Sequence, residues 1–94
     1  MVVFSEFGRR NFENGSGGTD HGAGQTMLLT GGAVQGGTFG SDLVASDIRD
    51  QSNLPMEVDF RQVFSEVIAN HLGHDASPVF PDTNQITANA LGVI

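Results

Sequence analysis

Apolar and polar positions fall in blocks along this chain, and the blocks differ in period. Residues 1–4, Met1-Val2-Val3-Phe4, form a short and partly β-branched apolar run that stops at Ser5, Glu6, Phe7 and Gly8, which predicts a buried strand ending at a polar rim. Residues 9–25 are polar, with Asn14-Gly15-Ser16-Gly17-Gly18 at their centre. That Gly and Asn content disfavours a helix and predicts a loop of about fifteen residues, long enough to be a functional candidate. A second apolar run, Thr26-Met27-Leu28-Leu29-Thr30, predicts another strand closed by Gly31-Gly32, with Ala33-Val34-Gln35 extending it or forming a short hairpin partner. Both runs have the length of central strands. Residues 38–56 mix Gly, Ser, Asp and Pro55 with few apolar positions and read as surface loop, with a turn of helix near 41–45.

The period changes in residues 59–72, where Phe60, Val63, Phe64, Val67, Ile68, His71 and Leu72 recur at the spacing of one helix face. Asp59 is suited to the N-cap, Gln62 completes a capping-box pair, and Gly73 stands where a left-handed residue ends a helix. The tail, residues 74–94, carries Pro78 and Pro81 and then Ala88, Ala90, Leu91, Val93 and Ile94, so it adds an edge strand or lies across the surface. The expected class is α/β, with two or three strands and one amphipathic helix in a single partial domain over residues 1–94. So few elements cannot cover both faces of a sheet, so the remaining layers are expected from the remainder of a parent domain.

Composition narrows the function. The chain has 94 residues, 38% of them apolar and 13 of them Gly, which excludes two independent cores. Arg9, Arg10, Arg49 and Arg61 stand against eleven Asp and Glu for a net charge of −7, so neither nucleic acid nor a membrane surface is an expected partner. No apolar run approaches the ~20 residues of a membrane span, and the N-terminus lacks the basic-then-apolar pattern of a signal peptide. Without Lys or Cys there is no Schiff base, thiol nucleophile, disulfide or zinc-thiolate site.

Thr19-Asp20-His21-Gly22 is the most chemically loaded segment, because a carboxylate beside an imidazole offers two metal donors in a loop that glycines allow to turn. The bland reading of the pair is a solvated turn. Glu6 sits at the carboxyl end of the first predicted strand, the edge where open α/β sheets hold ligands, or else it is a rim carboxylate paired with Arg9 or Arg10. Those two arginines either grip an oxyanion through their planar forks or neutralise nearby acids. The Gly-rich segment lacks the Lys-Ser/Thr ending of a P-loop, and no Gly-x-Ser-x-Gly elbow occurs. Asn14-Gly15-Ser16 matches a glycosylation acceptor, relevant only in a eukaryotic secretory setting. His71 reads as a packed histidine, and Gly73 separates it from His74 as a metal pair.

Val2-Val3-Phe4-Ser5-Glu6-Phe7-Gly8-Arg9-Arg10 together with Glu13-Asn14-Gly15-Ser16-Gly17-Gly18-Thr19-Asp20-His21-Gly22 resembles the C-terminal part of domain-of-unknown-function family 1501. The family is itself similar to the sulfatases of the alkaline phosphatase superfamily. Met27-Leu28-Leu29-Thr30-Gly31-Gly32, Val34-Gln35-Gly36-Gly37 and Asp59-Phe60-Arg61-Gln62-Val63-Phe64 fit as well, so the resemblance covers residues 1–73 and leaves 74–94 as a tail. It implies a C-terminal fragment of an alkaline-phosphatase-like doubly wound sheet, with a site for a divalent metal (zinc, manganese or calcium) at the strand ends. It also implies hydrolysis of anionic phosphate or sulfate esters, and a bacterial periplasmic or secreted setting. Glu6, Asp20 and His21 are the metal-binding candidates it points to, and Arg9 and Arg10 the substrate-binding ones. Where relatives have an Asp-His or Asp-Asn pair, this chain has Glu6-Phe7, and Phe7 cannot ligate. The nucleophile region of such enzymes has no counterpart here, so the chain is expected to have no turnover of its own. The alternative is a noncatalytic remnant or binding module of the same fold.

Overall fold

The computed structural model describes residues 1–40, 53–82 and 90–94. The helical turn expected near 41–45, and Ala88 in the tail, lie outside those residues. The class is mixed α/β: among the described residues, four two-residue strands form two small antiparallel sheets, followed by one helix. The strands are β1 (Val2–Val3), β2 (Gly8–Arg9), β3 (His21–Gly22) and β4 (Leu28–Leu29). The helix is α1 (Phe60–Glu66), continued by a π-helical turn, Val67–His71. The chain divides into two compact units, one of residues 1–30 and 41–57, the other of residues 31–40 and 58–94. No helix among the described residues is long and apolar enough to cross a membrane.

In the first unit the two apolar runs become strands as their β-branched and leucine content predicts, but they pair with each other and stay half-exposed. Val2 faces Leu29 and Val3 faces Leu28, and the amino group and carbonyl of Met1 close the pair against Thr30 at 2.6 and 2.9 Å. The stretch expected to be loop is partly strand. Gly8 pairs with Gly22 and Arg9 with His21, and the Arg10 N–H donates to the Asp20 carbonyl at 3.0 Å. The two ladders are therefore successive parts of one interrupted hairpin, whose tip is residues 11–19. Between the ladders the outgoing arm spends residues 4–7 and the return arm residues 23–27, one more. The Gln25 side chain fills this break: its Oε1 accepts the Ser5 N–H at 3.1 Å and lies 2.7 Å from the Ser5 hydroxyl.

Gly8 and Gly24 are the buried residues of this hairpin, and their backbones touch. A Cβ on Gly8 would lie 1.6 Å from the Gly24 carbonyl oxygen, an approach that only glycine permits. Gly24 in turn packs on Leu54, where a Cβ would meet the Leu54 Cβ at 2.7 Å. Asn53 bridges to Arg10 across the backbone, and its Oδ1 accepts the Ala23 N–H at 3.2 Å.

In the second unit the capping residues act as their chemistry dictates. Asp59 accepts the Arg61 N–H at 2.9 Å while the Gln62 side chain accepts the Asp59 N–H at 3.2 Å, closing the capping box. Arg61 returns a two-pronged ion pair to Asp59, with Nη2 at 2.7 Å from Oδ2. That pairing is the main reason the Asp59 carboxyl titrates below its usual range. Gly73 ends the helix at φ +68°, as expected. Val63 is buried with Ala76 and Val93, and the rings of Phe60, Phe64 and Phe80 meet at centroid distances of 6.2 to 6.4 Å. His71 and Leu72 leave the predicted stripe and are exposed, Leu72 by 56%. The reason is the π turn, whose Leu72 N–H reaches back five residues to the Val67 carbonyl at 3.1 Å. A wider turn rotates later residues off a face spaced at 3.6.

The tail is held by a side chain that periodicity does not single out. Glu66, 8% exposed, accepts backbone N–H groups from Leu91, from Gly92 at 3.2 Å and from Val93 at 2.9 Å. The Val93 carbonyl then accepts the Gln35 N–H at 2.9 Å, so the tail lies across this unit through hydrogen bonds. Ala33-Val34-Gln35 forms no strand; the Val34 N–H closes a turn on Gly31 at 3.1 Å.

Candidate functional site

The hairpin tip and its inner ladder form an open depression of about 560 Å³ lined by Arg9, Arg10, Asn14, Thr19, Asp20 and His21. Four of the five residues singled out from sequence meet here, because strand pairing sets Arg9 opposite His21 and Arg10 opposite Asp20. Glu6 lies at a bend before β2, exposed, and does not line the depression. Among the described residues, no three His, Asp or Glu side chains form a group able to hold a metal ion.

Asn14 organises the tip. Its Oδ1 accepts the N–H groups of Ser16 at 3.0 Å and Gly18 at 3.1 Å, and its own N–H donates to the Gly18 carbonyl at 2.7 Å. Asn and Asp side chains suit this role because their short carbonyl reaches the backbone two residues on. The remaining Asn14 group, Nδ2, donates to Asp20 Oδ1 at 2.9 Å and holds that carboxylate against the tip.

Arg9 and His21 are positioned by a stack on Phe7. The imidazole lies on the Phe7 ring at a centroid distance of 3.8 Å and an angle of 18°, and the Arg9 guanidinium sits 5.1 Å from that ring. Arg9 Nη1 also donates to the Thr19 carbonyl at 2.7 Å, tying the outgoing arm to the tip. The Arg10 guanidinium sits 6.0 Å from the Phe12 ring. Neither arginine forms an ion pair among the described residues, where the one ion pair is Arg61 with Asp59. The direct pairing with Glu6 that the milder reading of the sequence offers is not seen among those residues.

The depression is thus lined by two arginines, a histidine and a restrained aspartate, residue types suited to an anion carrying several acceptor oxygens. Sequence reasoning missed Phe7, which it noted only as unable to ligate, and the positioning role of Asn14, which it read as turn composition and as a match to a glycosylation acceptor. The signal for Phe7 was its place two residues before Arg9 on the same strand arm, where period two puts both on one face.

No curated protein and no solved structure matches the chain. A family described as a protein of unknown function, DUF1501, matches residues 1–87, and the chain belongs to that family.

Proposed function

We propose that this chain is part of a sulfatase-like or phosphatase-like hydrolase and contributes the side of its site that grips the anionic phosphate or sulfate ester. One observation carries the reading: Arg9 and Arg10, unpaired among the described residues, share a depression with Asp20 and His21. Guanidinium forks match the edges of a tetrahedral oxyanion and stabilise the charge that builds on it during ester cleavage. His21 can donate or accept a proton at the same place.

The divalent metal that the sulfatase likeness implies meets a poor donor set. Such an ion takes three or more donors, and among the described residues Asp20 and His21 make two, in a lining that also holds Arg9 and Arg10. No step is routed through it. Thr19 is the hydroxyl residue lining the depression, while Ser5 is engaged with Gln25 and the Phe7 carbonyl.

A noncatalytic anion-binding module is the second reading, and the position of Glu6 outside the depression favours it. The two are separated by incubating the chain with 4-nitrophenyl sulfate and 4-nitrophenyl phosphate, with and without zinc, manganese or calcium. The expected result is ester binding, seen as a rise in thermal stability of about 2.7 kcal/mol at a hundredfold excess over Kd, with no nitrophenol released. Loss of that rise in Arg10→Gln locates binding to the depression. Nitrophenol release would overturn the claim that the chain has no turnover of its own, and no thermal shift would overturn the reading as a whole.

A further inference from the structure

The make-up of the depression runs against the ion implied by the family likeness, and we infer that it holds a tetrahedral oxyanion directly, through Arg9 and Arg10, with no metal ion between protein and anion. This rests on the ester-anion reading above and specifies how the anion is recognised. Four observations converge on it.

Charge is the first. The chain carries a net charge of −7, yet of its four basic side chains Arg61 is paired with Asp59 and Arg49 lies outside the described residues. Arg9 and Arg10 both line the depression and neither is ion-paired among the described residues, so against the single carboxylate of Asp20 the lining carries a surplus of positive charge, which suits an oxyanion better than a divalent cation.

Preorganisation is the second. Arg9 is fixed by the Thr19 carbonyl at 2.7 Å and by the Phe7 ring at 5.1 Å, which leaves its remaining N–H groups for a ligand. Arg10 is not fixed in this way: it makes no side-chain hydrogen bond among the described residues, so its whole fork is available to a ligand, with the Phe12 ring 6.0 Å away.

The donor count is the third. Asp20 Oδ1 is occupied by the Asn14 amide at 2.9 Å, and no third His, Asp or Glu joins Asp20 and His21 among the described residues. Zinc, manganese and calcium take more donors than these. The fourth is the imidazole, held flat on Phe7 at 3.8 Å with its nitrogens at the ring edge, where an N–H can donate to an oxyanion.

The test is calorimetric titration of the full chain with inorganic sulfate, inorganic phosphate, phenyl sulfate and phenyl phosphate. Each is run in excess chelator and again with zinc, manganese or calcium added, with folding followed by circular dichroism. The expected result is saturable binding whose affinity changes less than about twofold between chelator and metal. It falls at least about tenfold in Arg10→Gln, by less in Arg10→Lys, and not at all in Arg61→Gln. Arg10 carries the test because its guanidinium makes no hydrogen bond within the described fold, so its loss leaves the tip intact; Arg9→Gln adds to it where its dichroism matches the parent chain. Anion binding that appears only when metal is added would overturn the direct grip and leave the ester reading standing. Binding of the free ions but of neither ester would overturn the ester reading and leave the direct grip. A folded chain that binds none of the four with or without metal would end both.

Discussion

At the scale of single residues, this hairpin is held by contacts between backbones and by two side chains, Asn14 and Gln25, that stand in for strand pairing. Gly8 shows how narrow the tolerance is. Gly8→Ala forces a methyl to within 1.6 Å of the Gly24 carbonyl oxygen and is expected to cost about 3 kcal/mol or more. Gly15→Ala meets nothing within 4 Å and is expected to shift stability by no more than about 0.5 kcal/mol. Thermal unfolding of the two variants side by side checks this contrast, and equal effects would mean that the Gly8–Gly24 approach is not tight. Asn14→Ala removes two acceptor bonds and the donor to Asp20, so the tip should lose about 1–3 kcal/mol locally. Amide exchange at Ser16 and Gly18 is the direct readout: it should accelerate there while the Leu28 and Leu29 amides keep their rates.

At the scale of elements, α1 depends on its ends. Asp59→Ala deletes the N-cap acceptor and is expected to cost about 1 kcal/mol. The carboxyl of Asp59 titrates below its usual range because of Arg61, so in acid the unfolded chain takes up that proton more readily than the folded one. Its contribution is therefore complete above the ordinary carboxylate range, about pH 4, and fades as pH falls through the lower folded value. Parent and Asp59→Ala stability curves should converge as pH drops toward 2, and parallel curves down to that pH would refute the assignment. At the other end, Glu66 gathers three consecutive N–H groups of the tail. Glu66→Ala leaves those donors without their acceptor, for an expected loss of about 2–3 kcal/mol. Limited proteolysis should cut the variant near Leu91 well before the parent chain, and equal cleavage rates would show that the tail is held by something else.

At the scale of the whole molecule, local rules were legible and long-range ones were not. Asp59, Gln62 and Gly73 could be assigned from sequence because a cap is decided by a few neighbouring residues. The strand runs could be seen, but not their partners, since Val2 opposite Leu29 is a matter of register over a long separation. The loop reading of residues 9–25 failed at its ends because Gly22, read locally as a turn residue, and Gly8, read as part of a polar rim, are there to let backbones meet. Of the five candidates the sequence offered, four line one depression and Glu6 does not, while Phe7 and Asn14, which touch two of those four, drew no notice for that role. Glu66 escaped notice because its three partners are 25 to 27 residues away. One consequence follows from the unequal spans, residues 4–7 against residues 23–27. Side chains alternate faces at each step along a strand, so that surplus residue works like a half-turn in a key. It sets which way Arg10 and Asp20 point once the base of the hairpin is fixed. Length changes there behave as a lock: deleting Thr26 should abolish anion binding and destabilise the chain more than inserting one glycine after Gly15, as thermal unfolding of the pair would show. Across descendants of this sequence, insertions would then gather at the tip, while the two spans change length only together.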